Sequence, residues 1–287
     1  MVDDAGMRTP VLWTILALAV ASALLMVPIP WGDSTGAVYG PISFLCEGDW
    51  DVDEFPFLYE AGPKGAPLPQ SLLSVHPPVG GGDHLLSFTG LGIKLISVPA
   101  VAMALRPWWS ESSEIAVLRA NQLTVIWTAL LILALTWTAL RHEVGDRLAA
   151  LATLTLLFGT TLWPQLRQTL WSNQAALVGT TLLLLLAFGA RRRGLSRALV
   201  LGMGLATGWA VMTRGATAVI CLPLLVAVAL EHRAGLARWL PWLLLGGLPF
   251  AVLLGMDNLA HTGAIHRFPF TAQAAEISGR MAGQGAG

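Results

Sequence analysis

Charge is what this chain has least of. Charged residues fill 12% of its 287 positions while hydrophobic residues fill 55%, and the mean hydropathy is +0.65. A soluble domain could not keep that balance in water, so the sequence is that of a polytopic membrane protein. Cysteine is nearly missing too. Cys46 in a polar stretch and Cys221 inside an apolar run have neither the number nor the placement for a disulfide framework or a zinc site. Lysine is confined to Lys64 and Lys94, so arginine carries almost all the positive charge. The net charge of zero says nothing by itself, because in a bilayer only the distribution of basic residues between loops carries information. No internal repeat is visible, and no pair of histidines has a metal-ligand spacing such as H-x-x-x-H. His76, His84, His261 and His266 therefore read as solvated loop residues.

What is abundant is the apolar run. Such runs occupy about 11–30, 93–105, 116–140, 148–163, 174–190, 198–213, 216–230 and 239–256, separated by short polar stretches. If all of them crossed, Arg191, Arg192, Arg193 and Arg197 would share a face with the long acidic stretch after the first run. Leaving out 93–105, which is short and holds Lys94, gathers Arg8, Arg141, Arg147, the Arg191–Arg197 cluster, Arg233 and Arg238 on one face. By the positive-inside rule that face is the cytoplasm. The expected architecture is an all-α inner-membrane protein with about seven spans and its N-terminus inside. Residues 1–30 hold the first span, 31–115 an extracytoplasmic loop with interfacial helices, 116–256 six further spans, and 257–287 an outer disordered tail. The run 93–105 then lies in or on the outer interface. Several spans fall short of the roughly 20 residues a perpendicular crossing needs, so they borrow flanking residues or thin the bilayer. Fusing 198–230 into one helix would cure the shortness but bury Arg214 in mid-span. The first run reads as a retained anchor, since Asp3 and Asp4 precede it and no small-residue cleavage site follows Pro28 and Pro30.

The outer side is acidic. Asp33, Glu47, Asp49, Asp51, Asp53, Glu54, Glu60, Asp83, Glu111 and Glu114 lie in the loop, and Asp257 and Glu276 follow the last span on the same side. Such a face suits base-assisted or metal-assisted catalysis and excludes nucleic-acid binding. Within the loop, Val38 to Leu45 reads as a short helix, and 61–83, rich in Gly and Pro, as irregular chain. Gly202, Gly204 and Gly208 lie within a span, where they signal close helix packing rather than a phosphate loop. Trp13, Trp31, Trp163 and Trp239 sit near span ends as interface anchors. Asp49, Asp51, Asp53 and Glu54 alternate closely enough to offer hard oxygen ligands to a divalent cation, Mg²⁺ or Mn²⁺. The run lacks the glycine and distal glutamate of a calcium loop, and a solvated turn is the competing reading.

Four short segments carry a resemblance: Asp33 after the first span, Gly48-Asp49-Trp50 about one interfacial helix later, Leu170-Trp171-Ser172-Asn173-Gln174 before a later span, and Thr213-Arg214-Gly215 where another ends. With the span arrangement they resemble the class C (GT-C) membrane glycosyltransferases, in particular the aminoarabinose transferase and protein O-mannosyltransferase branch. That resemblance implies transfer of a sugar from a polyprenyl-phosphate donor to an acceptor at the outer face, within membrane lipid. It implies Asp33 as the base that deprotonates the acceptor hydroxyl and a cation to meet the departing phosphate. Arg214 is the first candidate for that cation, with Arg167 and Lys94 as others. Asn173 stands where many members have an acidic or polar residue; being an amide, it cannot act as a base. The competing readings are a solvated helix-end aspartate for Asp33 and a snorkelling interface arginine for Arg214. Two other functions stay open. A transport subunit would need polar groups deep in several spans, and a scaffold or truncated relative would fit a chain that stops soon after its seventh span.

Overall fold

In the computed structural model the described residues are 8–25, 32–51, 75–76, 86–87, 91–105, 114–160, 162–167, 172–233 and 236–265. The apolar runs become helices. In chain order they are α1 (Arg8–Leu25), α2 (Gly32–Cys46), α3 (Leu91–Leu105), α4 (Glu114–Val144), α5 (Asp146–Phe158), α6 (Leu162–Arg167), α7 (Ser172–Arg193), α8 (Arg197–Thr213), α9 (Ala218–Glu231) and α10 (Leu236–Thr262). Three stretches, Arg119–Val144, Ser172–Arg193 and Leu236–Thr262, are long and apolar enough to cross a membrane. The protein is thus an all-α membrane protein, apart from a two-residue antiparallel ladder in which Val75 faces Ser87 and His76 faces Leu86. That ladder falls partly inside 61–83, where irregular chain was expected. The run at 148–163 is not continuous either, because α5 ends at Phe158, Gly159 caps it, and α6 begins afresh at Leu162.

Helix ends follow from local sequence. Gly145 and Gly194 both carry φ of +79°, a region where only glycine is at ease, and they end α4 and α7 on the same side. Ser196 then caps α8 by accepting the Leu199 amide. Between α8 and α9 the chain breaks at Arg214, whose backbone is extended (φ −154°, ψ 106°), followed by a single 3₁₀ turn at Gly215–Thr217. Thr217 closes that turn by donating its hydroxyl to the Arg214 carbonyl at 2.7 Å.

Side-chain bonds to neighbouring backbones fix how the helices are paired. Gln122 Nε2 in α4 donates to the Ala23 carbonyl near the end of α1 at 3.0 Å, so the stretch between these helices leaves and re-enters the bundle at one end. Gln174 Nε2 in α7 donates to Val125 O in α4, and Trp209 Nε1 in α8 donates to Ala175 O in α7. At the opposite end Arg192 pairs with Glu143 (3.5 Å) and Arg191 with Glu231 (3.4 Å), joining the last turns of α4, α7 and α9. The molecule therefore has a basic end and, at its other pole, the starts of α4 and α7 with the ends of α1, α8 and α10.

The main core packs α1, α3, α4, α5 and α7 around Ile15, Ile93, Ile132, Leu133, Trp137 and Leu157. Glycine sets how closely α10 joins. Gly204 in α8 meets Gly246 and the Leu243 carbonyl, and Gly208 meets Gly247 and Phe250, while Gly202 turns instead toward Leu186 of α7. Removing side chains there lets two backbones touch, the usual route to helix association where lipid already solvates apolar surface. α10 stays at the periphery all the same: 6% of its spanning window is buried, against 56% for those of α4 and α7.

Candidate functional site

α3 is the centre of the non-basic end. It packs on α2, α4, α7 and α8 and touches α10, and it buries Leu91, Gly92, Ile93, Lys94, Ile96, Ser97, Ala100 and Val101. Its 15 residues are wedged among other helices rather than laid on a surface. Gly92 makes this possible. A Cβ there would overlap the side chain of Thr213, so the start of α3 lies directly on the last residue of α8. Two residues past Gly92 comes Lys94, and one past Thr213 comes Arg214; the glycine contact brings two cations onto adjoining backbone.

Their surroundings differ. Arg214 is exposed at the helix break, whereas Lys94 is 1% exposed and runs its methylenes over α2, where a Cβ on Gly40 would sit 3.3 Å from Lys94 Cδ. Burial pushes the Lys94 ammonium below its ordinary range, and the carboxylate of Asp257 in α10 acts in the opposite sense. Asp257 is held by its own helix. His261 Nδ1 lies 2.8 Å from the Asp257 carbonyl oxygen and 3.5 Å from Asp257 Oδ1, one turn on, and His261 is buried. Asn258 and Thr262 beside it are buried as well; Asn258 Nδ2 donates to the Ile265 carbonyl, and Thr262 to that of Asn258. The last turns of α10 thus form a polar plug, where the sequence suggested a solvated histidine and an aspartate beyond the span.

The other expected residues fall around this centre. Asp33 is the second residue of α2, on the helix that covers Lys94, and Arg167 ends α6; both are described for their backbone alone. α2 starts at Gly32, six residues before the expected Val38. Asn173 is half-buried in the first turn of α7, but its neighbour Gln174 is fully buried, with its amide nitrogen on Val125 O and its carbonyl oxygen without a hydrogen-bond partner. Asn121, Thr124 and Thr128 of α4 are buried too. A polar seam thus runs through α3, α4 and α7.

Gly48-Asp49-Trp50 has a structural explanation. Gly48 takes φ of +90° with open space where a side chain would be, so glycine is there for its conformation. Its amide and that of Glu47 both reach the Ser43 carbonyl, closing α2. The turn carries Asp49 back to accept the Ser43 hydroxyl at 2.7 Å and lays Trp50 on Phe44, with ring centroids 4.4 Å apart. Asp49 is exposed and Asp51 buried, while Asp53 and Glu54 lie outside the described residues. Among the described residues no three His, Cys, Asp or Glu groups converge as metal ligands. An aspartate already committed to Ser43 and a second that is buried do not by themselves make a site for Mg²⁺ or Mn²⁺.

The chain was compared with protein-family models, with curated proteins and with solved structures. It matches none of them. Function has to be argued from the geometry, in which the helix of Lys94 begins against the end of α8 just before Arg214, Asp257 acts on Lys94 unforeseen, and Asp33 stands on α2, which packs on α3. The distant glycine contact between α3 and α8 was hidden in the sequence because nothing local marks Gly92 as touching a residue over a hundred positions away.

Proposed function

We propose that this chain is a membrane glycosyltransferase, with α1, α4, α5, α7, α8, α9 and α10 crossing the inner membrane and the Lys94 end facing outward. The bond from Gln122 to Ala23 supports that topology, as it returns the chain to the end it left from. So does the gathering of Arg191, Arg192, Arg197, Arg233 and Arg238 at the opposite end. The observation that supports the functional reading is the contact of Gly92 with Thr213, which sets the exposed Arg214 at the end of α8 against the start of the helix that carries the buried Lys94. Buried ammonium with a carboxylate in reach is expensive to maintain in a lipid-soluble bundle, which is why such groups mark functional sites.

In this reading the acceptor hydroxyl oxygen attacks the anomeric carbon of a polyprenyl-phosphate sugar and the bond from that carbon to the phosphate oxygen breaks. The hydroxyl proton passes to Asp33, and the phosphate leaves with the electron pair and its negative charge. Arg214 receives that charge as a forked donor. Lys94 stands behind it within the bundle as a second basic group, its charge opposed by burial and supported by Asp257. Purified protein assayed with a panel of polyprenyl-phosphate sugars tests this. Arg214→Gln is expected to weaken donor binding by about 1.5–3 kcal/mol, the scale of a charged hydrogen bond. Asp33→Asn is expected to keep donor binding and slow transfer by about 10²–10⁴-fold. Wild-type protein that binds no donor of the panel would leave the scaffold reading in its place, and transfer unchanged in Asp33→Asn would remove Asp33 from the mechanism.

A further inference from the structure

A second site lies at the basic end and owes nothing to the first. α9 packs chiefly on α7 and α10 on α8, and at this end a cleft lies among α8, α9 and α10. Its lining is almost wholly apolar, with Val200 and Met203 at the back, Val228 and Ala229 on one wall, and Trp239 and Leu243 on the other. An almost wholly apolar cleft in a membrane bundle fits hydrocarbon.

Charge at the mouth selects the headgroup. Of the basic residues at this end, Arg191 and Arg192 are neutralised by Glu231 and Glu143. Arg197, Arg233 and Arg238 are exposed and pair with no carboxylate among the described residues. Two of them are held in place: the Arg197 guanidinium sits 5.3 Å from the Trp242 ring and that of Arg238 5.3 Å from the Trp239 ring. Trp239 is at once a wall of the cleft and the platform for Arg238. The same features argue against a second copy of the chain, since a two-fold contact through this face would set these arginines against their own images.

We infer that this cleft binds an anionic phospholipid of the cytoplasmic leaflet, one acyl chain between α9 and α10 and its phosphate on Arg197 and Arg238. The site rests on the membrane reading alone and stands whether or not the outer end transfers sugars.

Native mass spectrometry of the full chain, purified in neutral detergent and offered equal phosphatidylglycerol and phosphatidylcholine, tests it. The expected result is preferential retention of phosphatidylglycerol. In R197Q/R238Q that preference should drop by about fivefold per arginine, with helix content and melting temperature retained because both side chains are exposed. Ala229→Phe, which fills the cleft, should lose both lipids. Equal retention of the two lipids by the wild type would overturn the proposal. So would a preference unmoved in R197Q/R238Q, or a dimer mass that lipid does not displace; if Ala229→Phe fails to fold, the arginine pair decides alone.

Discussion

Gly48 and Gly92 show two different reasons for the absence of a side chain. At Gly48 there is room for a Cβ but the backbone angle is wrong for one; at Gly92 the angle is ordinary and the room is missing. Gly48→Ala should therefore cost about 1 kcal/mol through conformation, and loosen Asp49 and Trp50 from α2. The checks are melting temperature and the fluorescence of Trp50 relative to a Trp50→Phe control. Gly92→Ala must push α3 away from Thr213 and should cost about 1–3 kcal/mol as overpacking. Gly92→Ala combined with Thr213→Ala should recover part of that loss, and a double-mutant cycle with no coupling would separate the two helices. Gly48 was legible in the sequence as part of a short motif, although as a candidate site rather than a helix terminator. Gly92 was not legible, because a steric contact between distant residues leaves no local pattern. His261 misled for a related reason: one histidine near a helix end looks solvated until its neighbours Asn258 and Thr262 are seen to be buried with it.

At the level of helices, the hydrophobic runs located the apolar helices to within about a turn or two, missing α2 and the break between α5 and α6, because a bilayer-sized apolar stretch has few other states open to it. What the runs did not convey is which helix lies inside and which outside. α3 and α9 are equally apolar by eye, yet α3 is surrounded while Val219, Ile220, Leu222, Val226 and Leu230 of α9 are exposed. The contact between α8 and α10 offers a controlled test of the glycine reading. In Gly246→Ala the new methyl would overlap the Leu201 carbonyl and lie 3.0 Å from Gly204 Cα, but in Gly247→Ala it would meet only the Gly204 carbonyl at 3.7 Å. The first should destabilise by about 1–3 kcal/mol and the second by far less. Thermal unfolding in one detergent distinguishes them; equal melting temperatures would show that α10 can shift freely on α8.

Over the whole molecule, the two poles make opposite claims about the compartments they face. Exposed Cys46 lies on the Lys94 side, and Cys221 is buried. A membrane-impermeant thiol reagent applied to intact cells should label Cys46, whereas His142→Cys in a Cys46→Ser background should react only after the membrane is opened. Labelling of both from outside would end the proposed topology. The charge asymmetry behind this prediction was fully visible in the sequence, since it needs only the order of arginines and apolar runs. The placement of the tail beyond residue 265 and of Asp53 and Glu54 lies outside the described residues.

The distance along the chain between Lys94 and Asp257 has a consequence for synthesis. The lysine leaves the ribosome early, in α3, the third of the described helices, while the carboxylate that eases its burial belongs to α10, the last of the described helices. Until then the ammonium must keep to the water side, because a buried cation without a counter-charge is costly. α3 is therefore expected to settle into its wedge only after translation has passed Asp257, and a ribosome stalled before that point would carry α3 still accessible at the surface.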